Sequence, residues 1–232
     1  MQQQQRNNDP RSAEQGRLLA RPARVTQAAP TGVQHLGLDP RRDALIYVPS
    51  SYQPDQPAPF TIMLHGAGGT GEGSLASFQP FAEQAGTIVL APTSRRQTWD
   101  VIMGDYGPDV ALIDRALEHV FTRYAVDSAH LAIGGFSDGA SYALSLGITN
   151  GDLFTHVIAF SPGFAAPADQ IGQPHIYVSH GTHDTVLPID RCSRRLVPML
   201  QGAGYDVRYH EFDGPHIVPP TIAQEAVAWF RA

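Results

Sequence analysis

At 232 residues, 42% hydrophobic and only 16% charged, the chain carries enough apolar material for one globular domain with a sizeable core. Its formal net charge of −6 argues against a nucleic-acid binder, which carries a basic face; all sixteen cationic side chains are arginine. A single cysteine, Cys192, excludes an intramolecular disulfide, and no apolar run approaches the ~20 residues of a membrane span.

The first 25 residues are polar, Gln-rich at the tip and short of aromatic and β-branched side chains. Such a stretch buries too little to offset its ordering entropy, so residues 1–25 are expected to be a mobile arm, with a single catalytic domain over 26–232. The arm has no continuous apolar core of the kind a secretory signal needs, which makes the cytoplasm the expected compartment.

From residue 43 onward, short runs rich in Val, Ile and Leu alternate with longer amphipathic segments. The runs are ALIYVPS, FTIMLHG, TIVLAPT, HLAIGGFS, HVIAFSP, HIYVSHG and DVRYHEF. Each is bounded by a turn former or a charge, and their near-continuous apolar character suits central parallel strands covered on both faces. Helices are expected in SLASFQPFAEQAG and in the segment beginning at Pro108-Asp109. In the latter, Val110, Ile113, Leu117, Val120 and Phe121 recur at helical spacing. Further helices are expected in ASYALSLGITNG, DRCSRRLVPMLQGAG and TIAQEAVAWFRA. Strand–helix alternation of this kind predicts an α/β fold with a mostly parallel sheet and helices on both faces.

Four segments carry the chemistry. Gly135-Phe136-Ser137-Asp138-Gly139 matches G-x-S-x-G between a predicted strand and a predicted helix, where a tight turn exposes the serine at the C-terminal edge of the sheet. MLHGAGGTG ends the second run in a glycine-rich turn that brings backbone N–H groups close to a substrate, as an oxyanion hole requires. Ala67 N–H is the expected donor there, and Asp138 N–H the second. A P-loop is set aside because the stretch lacks its Lys-Ser/Thr ending. A serine hydroxyl needs a base, and the base a partner that fixes its tautomer. His216, in FDGPHIVPP, and Asp184, in VSHGTHDTVLP, supply them in the order Ser, Asp, His. Asp190 reads better as a helix N-cap, and Asp213 as a shaper of the His216 loop. His180, His183 and Asp184 have the spacing H-x-x-H-D, but no second cluster completes a metal shell. His65 reads as an organiser of the oxyanion loop, and Cys192 as a small buried residue.

With LHGAGG, GFSDG, HGTHDTVLP and GPH in this order, residues 43–232 resemble the α/β-hydrolase fold. Within that fold the chain is similar to the small lidless phospholipase/carboxylesterase family, including dienelactone-hydrolase-like esterases. The resemblance implies Ser137 as nucleophile, His216 as general base and then acid, Asp184 as orienting carboxylate, and Ala67 and Asp138 as oxyanion donors. Two departures stand out: Asp138 replaces the Gln or Met of many members, and Ser137 replaces the cysteine of dienelactone hydrolases.

The 47 residues from Ser137 to Asp184 leave no room for a lid domain, so an open site is expected, suited to short or medium acyl groups. Its pocket is expected from the loop RRQTWDVIMGDYG, through Trp99, Met103 and Tyr106, with Phe164, Leu187 and Ile217 from other loops. The function read from these residues is a carboxylesterase-type serine hydrolase, needing neither cofactor nor metal, whose partner is a small-molecule ester. Thioester or lysophospholipid cleavage by the same triad is the alternative, and a non-catalytic binding module the reading from another class.

Overall fold

The computed structural model describes residues 10–23, 25 and 29–232. Its centre is a sheet of eight strands in the order β1-β2-β4-β3-β5-β6-β7-β8. All seven apolar runs form strands: β2 (Ala44–Val48), β3 (Ala58–Leu64), β4 (Ile88–Pro92), β5 (Val126–Phe136), β6 (His156–Phe160), β7 (His175–Gly181) and β8 (Val207–Phe212). The eighth, β1 (Gly32–His35), precedes them at the sheet edge. Its four residues alternate half-buried and exposed, so no apolar run marks it. β2 pairs antiparallel with β1 and β4; every other pairing is parallel.

Period-2 alternation divides the sheet into two cores. Ile46, Ile62, Leu64, Leu90 and Ile133 point to one face. There they meet α4 (Pro108–Phe121), α5 (Asp138–Thr149) and α6 (Ser193–Gly202). Leu45, Met63, Val89, Ala132 and Ile158 point to the other, against α2 (Gly71–Ala85) and α7 (Pro220–Phe230). Two short helices complete the chain, α1 (Pro10–Glu14) and α3 (Asp100–Met103). The expected architecture, with helices on both faces of a mostly parallel sheet, is the one observed.

Part of the N-terminal segment packs against the domain. Leu18 is fully buried in the first core, and its N–H donates to Asn150 Oδ1 at 2.9 Å. Leu19 and Ala20 N–H both donate to Asp114 Oδ1, and Arg17 and Arg21 converge on Asp152. Residues 17–21 are therefore tied to the fold by backbone-to-side-chain bonds and ion pairs that composition does not reveal. Residues 1–9 lie outside the described residues.

Candidate active site

β5 ends at Phe136 and α5 begins at Asp138, so the whole reversal falls on Ser137, at φ 58° and ψ −120°. A non-glycine residue in this region is strained, and only the surrounding packing holds it there. The packing is close. A Cβ on Gly139 would overlap Leu64 O and stand 2.6 Å from His65 O, and one on Gly135 would overlap the Gly139 backbone. These two glycines let the start of α5 lie against the end of β3, where the oxyanion loop begins. Ser137 N–H donates to Phe160 O at 2.9 Å, which ties the turn to β6.

Ser137 Oγ lies 2.9 Å from His216 Nε2, and His216 Nδ1 lies 2.5 Å from Asp184 Oδ2. Asp184 is an acceptor on both oxygens, since Oδ1 takes the N–H groups of Val186 and Leu187 at 2.9 and 2.8 Å. Burial raises its pKa, but the Leu187 N–H, His216 and the Val186 N–H outweigh this and hold the carboxyl below its ordinary value. An ionised Asp184 fixes the proton on His216 Nδ1 and leaves the Nε2 lone pair for the Ser137 hydroxyl. Phe136 packs on the His216 ring, centroids 4.6 Å apart.

Around the nucleophile, Ala67 is exposed in the turn after β3, and Asp138 opens α5, so its N–H has no intrahelical acceptor. A Cβ on Gly66 would stand 3.3 Å from Ser137 Cβ, so this loop passes directly over the serine. His65 is buried and acts through the backbone. Its Nε2 accepts from Ser94 N–H at 3.0 Å, which leaves the proton on Nδ1 to donate to Gly66 O at 2.7 Å. Burial pushes the His65 pKa down, in keeping with a neutral ring. The Asp138 carboxylate turns away from the turn and accepts from Thr98 Oγ1 at 2.6 Å.

A cavity of about 450 Å³ opens beside His216. Its walls are Phe78 and Phe81 of α2, Phe136, Met63 and the 217–223 segment, with Thr70, Ser74 and Ser77 supplying hydroxyls. Of the six expected pocket residues only Ile217 lines it. Trp99 is fully buried, stacked on Tyr142 at 5.2 Å, and its Nε1–H donates to His65 O at 2.8 Å. It supports the loop after β3 from behind and does not line the cavity. Met103 faces a separate cavity of about 210 Å³ with Arg95, Arg96 and Asp109. Tyr106 packs on Tyr142, and its phenol donates to Ala166 O at 2.7 Å. Phe164 is exposed, and Leu187 contributes chiefly backbone, its N–H to Asp184 and its C=O to His180. The aromatic pair Phe78 and Phe81 was legible only as the apolar stripe of a helix.

Residues 110–227 match the family model described as Phospholipase/Carboxylesterase. The chain belongs to this family. The chain is 30% identical over 157 residues to feruloyl esterase C of Emericella nidulans, and 29% over the same length to the probable feruloyl esterase C of Aspergillus niger. Each match covers 64% of this chain and 57% of the relative, so the chain spans little more than half the length of these curated relatives. Among solved structures, a thermostable esterase superposes with a TM-score of 0.70 at 25% identity, covering 85% of this chain and 61% of that one. Esterase PE8 superposes at 0.64 and 24% identity, over 80% and 98%, a likeness of fold. Among the described residues no helix is long and apolar enough to cross a membrane, and no group of three His, Cys, Asp or Glu side chains could hold a metal.

Proposed function

We propose that this family member is a serine carboxylic-ester hydrolase. The observation that carries the reading is the continuous Ser137–His216–Asp184 chain, 2.9 and 2.5 Å per link, whose His216 lines an apolar cavity. In the first half-reaction Ser137 Oγ attacks the ester carbonyl carbon and its proton passes to His216 Nε2. The carbonyl oxygen becomes an oxyanion that accepts from Ala67 and Asp138 N–H. His216 then returns the proton to the departing alkoxide as the C–O bond breaks, leaving an acyl-Ser137 ester. In the second half His216 takes a proton from water, whose oxygen attacks the acyl carbon, and Ser137 leaves with that proton.

The cavity supports a compact acyl group, of short to medium length or with an aromatic ring, set between Phe78, Phe81 and Phe136. The naming of the relatives as feruloyl esterases points the same way. The test is hydrolysis of p-nitrophenyl esters from acetate to palmitate and of methyl hydroxycinnamates, with Ser137→Ala as control. Short or aromatic esters are expected to be cleaved fastest, with a loss on the order of 10⁶ in kcat for the variant. A maximum at palmitate would overturn the pocket assignment. A folded protein with no serine-dependent rate on esters or thioesters would overturn the enzyme reading and leave a binding module.

A further inference from the structure

A second histidine stands behind the proposed triad. His180, at the end of β7, is fully buried, and its Nε2 lies 3.1 Å from Asp184 Oδ2 and 2.8 Å from Leu187 O. Both neighbours are acceptors, so Nε2 carries a proton; it donates to Leu187 O, with Asp184 Oδ2 facing the same N–H. On the other side of the ring, Nδ1 is 2.7 Å from Ser193 Oγ, also fully buried. With the proton on Nε2, Nδ1 is an acceptor and Ser193 the donor. One ordered line thus runs Ser193, His180, Asp184, His216, Ser137.

We infer that His180 is a positioning residue of the proposed ester hydrolysis, holding Asp184 Oδ2 from behind as a neutral Nε2–H donor and setting how strongly that oxygen holds the His216 proton. The inference rests on the serine-hydrolase reading above. Three N–H groups outside the triad face Asp184: two backbone donors on Oδ1, and the His180 ring 3.1 Å from Oδ2. Only His180 shares an oxygen with His216. A hydrogen bond to a carboxylate oxygen withdraws charge from it, so the His180 bond weakens the pull of Oδ2 on the His216 proton. It also stops the carboxylate from rotating, because any turn breaks three bonds together.

The surroundings keep His180 uncharged. Burial lowers its pKa, offset in part by the Leu187 carbonyl and Asp184, and the Ser193 hydroxyl needs the Nδ1 lone pair. Across the strand pair, Glu211 stands opposite His180, but Arg194 of α6 binds both its carboxylate oxygens at 2.9 and 2.6 Å and also reaches Asp190. Of the other ionisable groups, His216 shares Asp184, and Cys192 is a buried thiol whose pKa burial raises. Gly181 completes the arrangement: a Cβ there would overlap Gly214 O and Pro215 O, so the His216 loop rests on the end of β7.

The experiment compares His180→Asn, which removes the Nε2 donor, with His180→Gln, whose carboxamide replaces it, on one ester across pH. Asn is expected to lower kcat about ten-fold with KM unchanged, the scale of one hydrogen bond to a charged group. It also moves the acid limb of the kcat/KM profile to higher pH, and Gln restores both. Equal kcat losses in Asn and Gln with an unmoved acid limb, or wild-type behaviour in both, would overturn the role. Should His180→Asn not fold, ¹⁵N-histidine spectra of the wild-type chain decide. They are expected to show His180 protonated on Nε2 and bare on Nδ1 at every pH where the enzyme works, and a doubly protonated ring there would overturn the inference. Failure of the serine-hydrolase reading is seen separately, as a wild-type rate equal to that of Ser137→Ala.

Discussion

Gly139→Ala adds one methyl group at the place where the Ser137 turn meets the end of β3. The new Cβ would overlap Leu64 O and stand 2.6 Å from His65 O and 2.7 Å from Leu64 C, all backbone atoms that no rotamer change can move. Restoring an ordinary 3.4 Å contact with His65 O alone takes about 0.8 Å of separation between α5 and the end of β3. Overpacking of this kind costs about 1–3 kcal/mol, which for a domain of this size lowers Tm by roughly 2–12 °C. The catalytic loss is expected to be larger in proportion, since a displacement near 1 Å between nucleophile and oxyanion donors costs about 100-fold. The matched control is Gly73→Ala in α2, where the nearest atom to a new Cβ is Thr70 Oγ1 at 3.8 Å. There the same substitution gains about 0.5–1 kcal/mol of helix stability. Thermal unfolding together with hydrolysis of a p-nitrophenyl ester reads both effects. A Gly139→Ala protein with wild-type Tm and a kcat/KM within about three-fold of wild type would refute the close approach as the reason for this glycine.

Trp99→Ala is expected to destabilise by about 3–5 kcal/mol and to slow every ester alike, because it vacates the wall behind His65; a change in acyl preference with full stability would restore it to the pocket. Phe81→Ala should instead raise KM for aromatic esters several-fold while Tm falls little, measured on methyl hydroxycinnamates against acetate. Asp109 is buried, and burial raises its pKa from 3.8 to about 6 against its two backbone N–H partners. The folded state therefore binds this proton more tightly than the unfolded one, and stability falls as pH rises from about 4 to 6, by at most about 3 kcal/mol. Urea unfolding should show that slope in wild type and a flatter one in Asp109→Asn; equal slopes would refute it. For the N-terminal arm, Asn150→Ala should accelerate tryptic cleavage at Arg17 more than Asp152→Ala does. Asn150 is buried and bonds Leu18 N–H and Gly16 O, whereas the Asp152 ion pairs are about a third exposed and contribute under about 1 kcal/mol.

The parts of this protein legible from sequence are those set by local pattern. Seven apolar runs became strands because both faces of the sheet are covered, and the Ser137 turn announced itself because its two glycines are four residues apart on one segment. The cavity was not legible. Trp99 was the obvious aromatic on the catalytic edge, yet its ring is claimed by His65 and Tyr142, residues 34 and 43 positions away. Phe78 and Phe81, three residues apart on α2, carry the spacing of an ordinary core stripe, and only the packing of α2 against the 217–223 segment turns Phe81 toward open space. The contacts of residues 16–21 were hidden for the same reason. Their anchors Asp114, Asn150 and Asp152 are polar, distant in sequence and invisible to composition.

Asp138 shows how the family pattern tolerates a charge beside a developing oxyanion. The position contributes a backbone N–H to the proposed hole, so its side chain is constrained only to leave that N–H free. An anionic side chain facing the oxyanion would oppose the transition state, and the structure removes the conflict by direction. Asp138 Oδ2 accepts from Thr98 Oγ1 at 2.6 Å, on the segment that also supplies Gln97 O to Gly68 N–H at 2.7 Å and the Trp99 indole to His65 O. With the Ser94 N–H bond to His65 Nε2, the carboxylate thus becomes one of four ties between the Ser137 turn, the 94–99 segment and the 65–69 loop. Asp138→Asn keeps an acceptor for Thr98 while removing the charge, whereas Asp138→Ala removes the tie. If direction is what matters, Asn should leave kcat within about three-fold and Ala should lower it about ten-fold, the worth of one hydrogen bond to a charged group. A gain in kcat of ten-fold or more in Asn would mean that the charge does reach the oxyanion, and that the bond to Thr98 does not shield it.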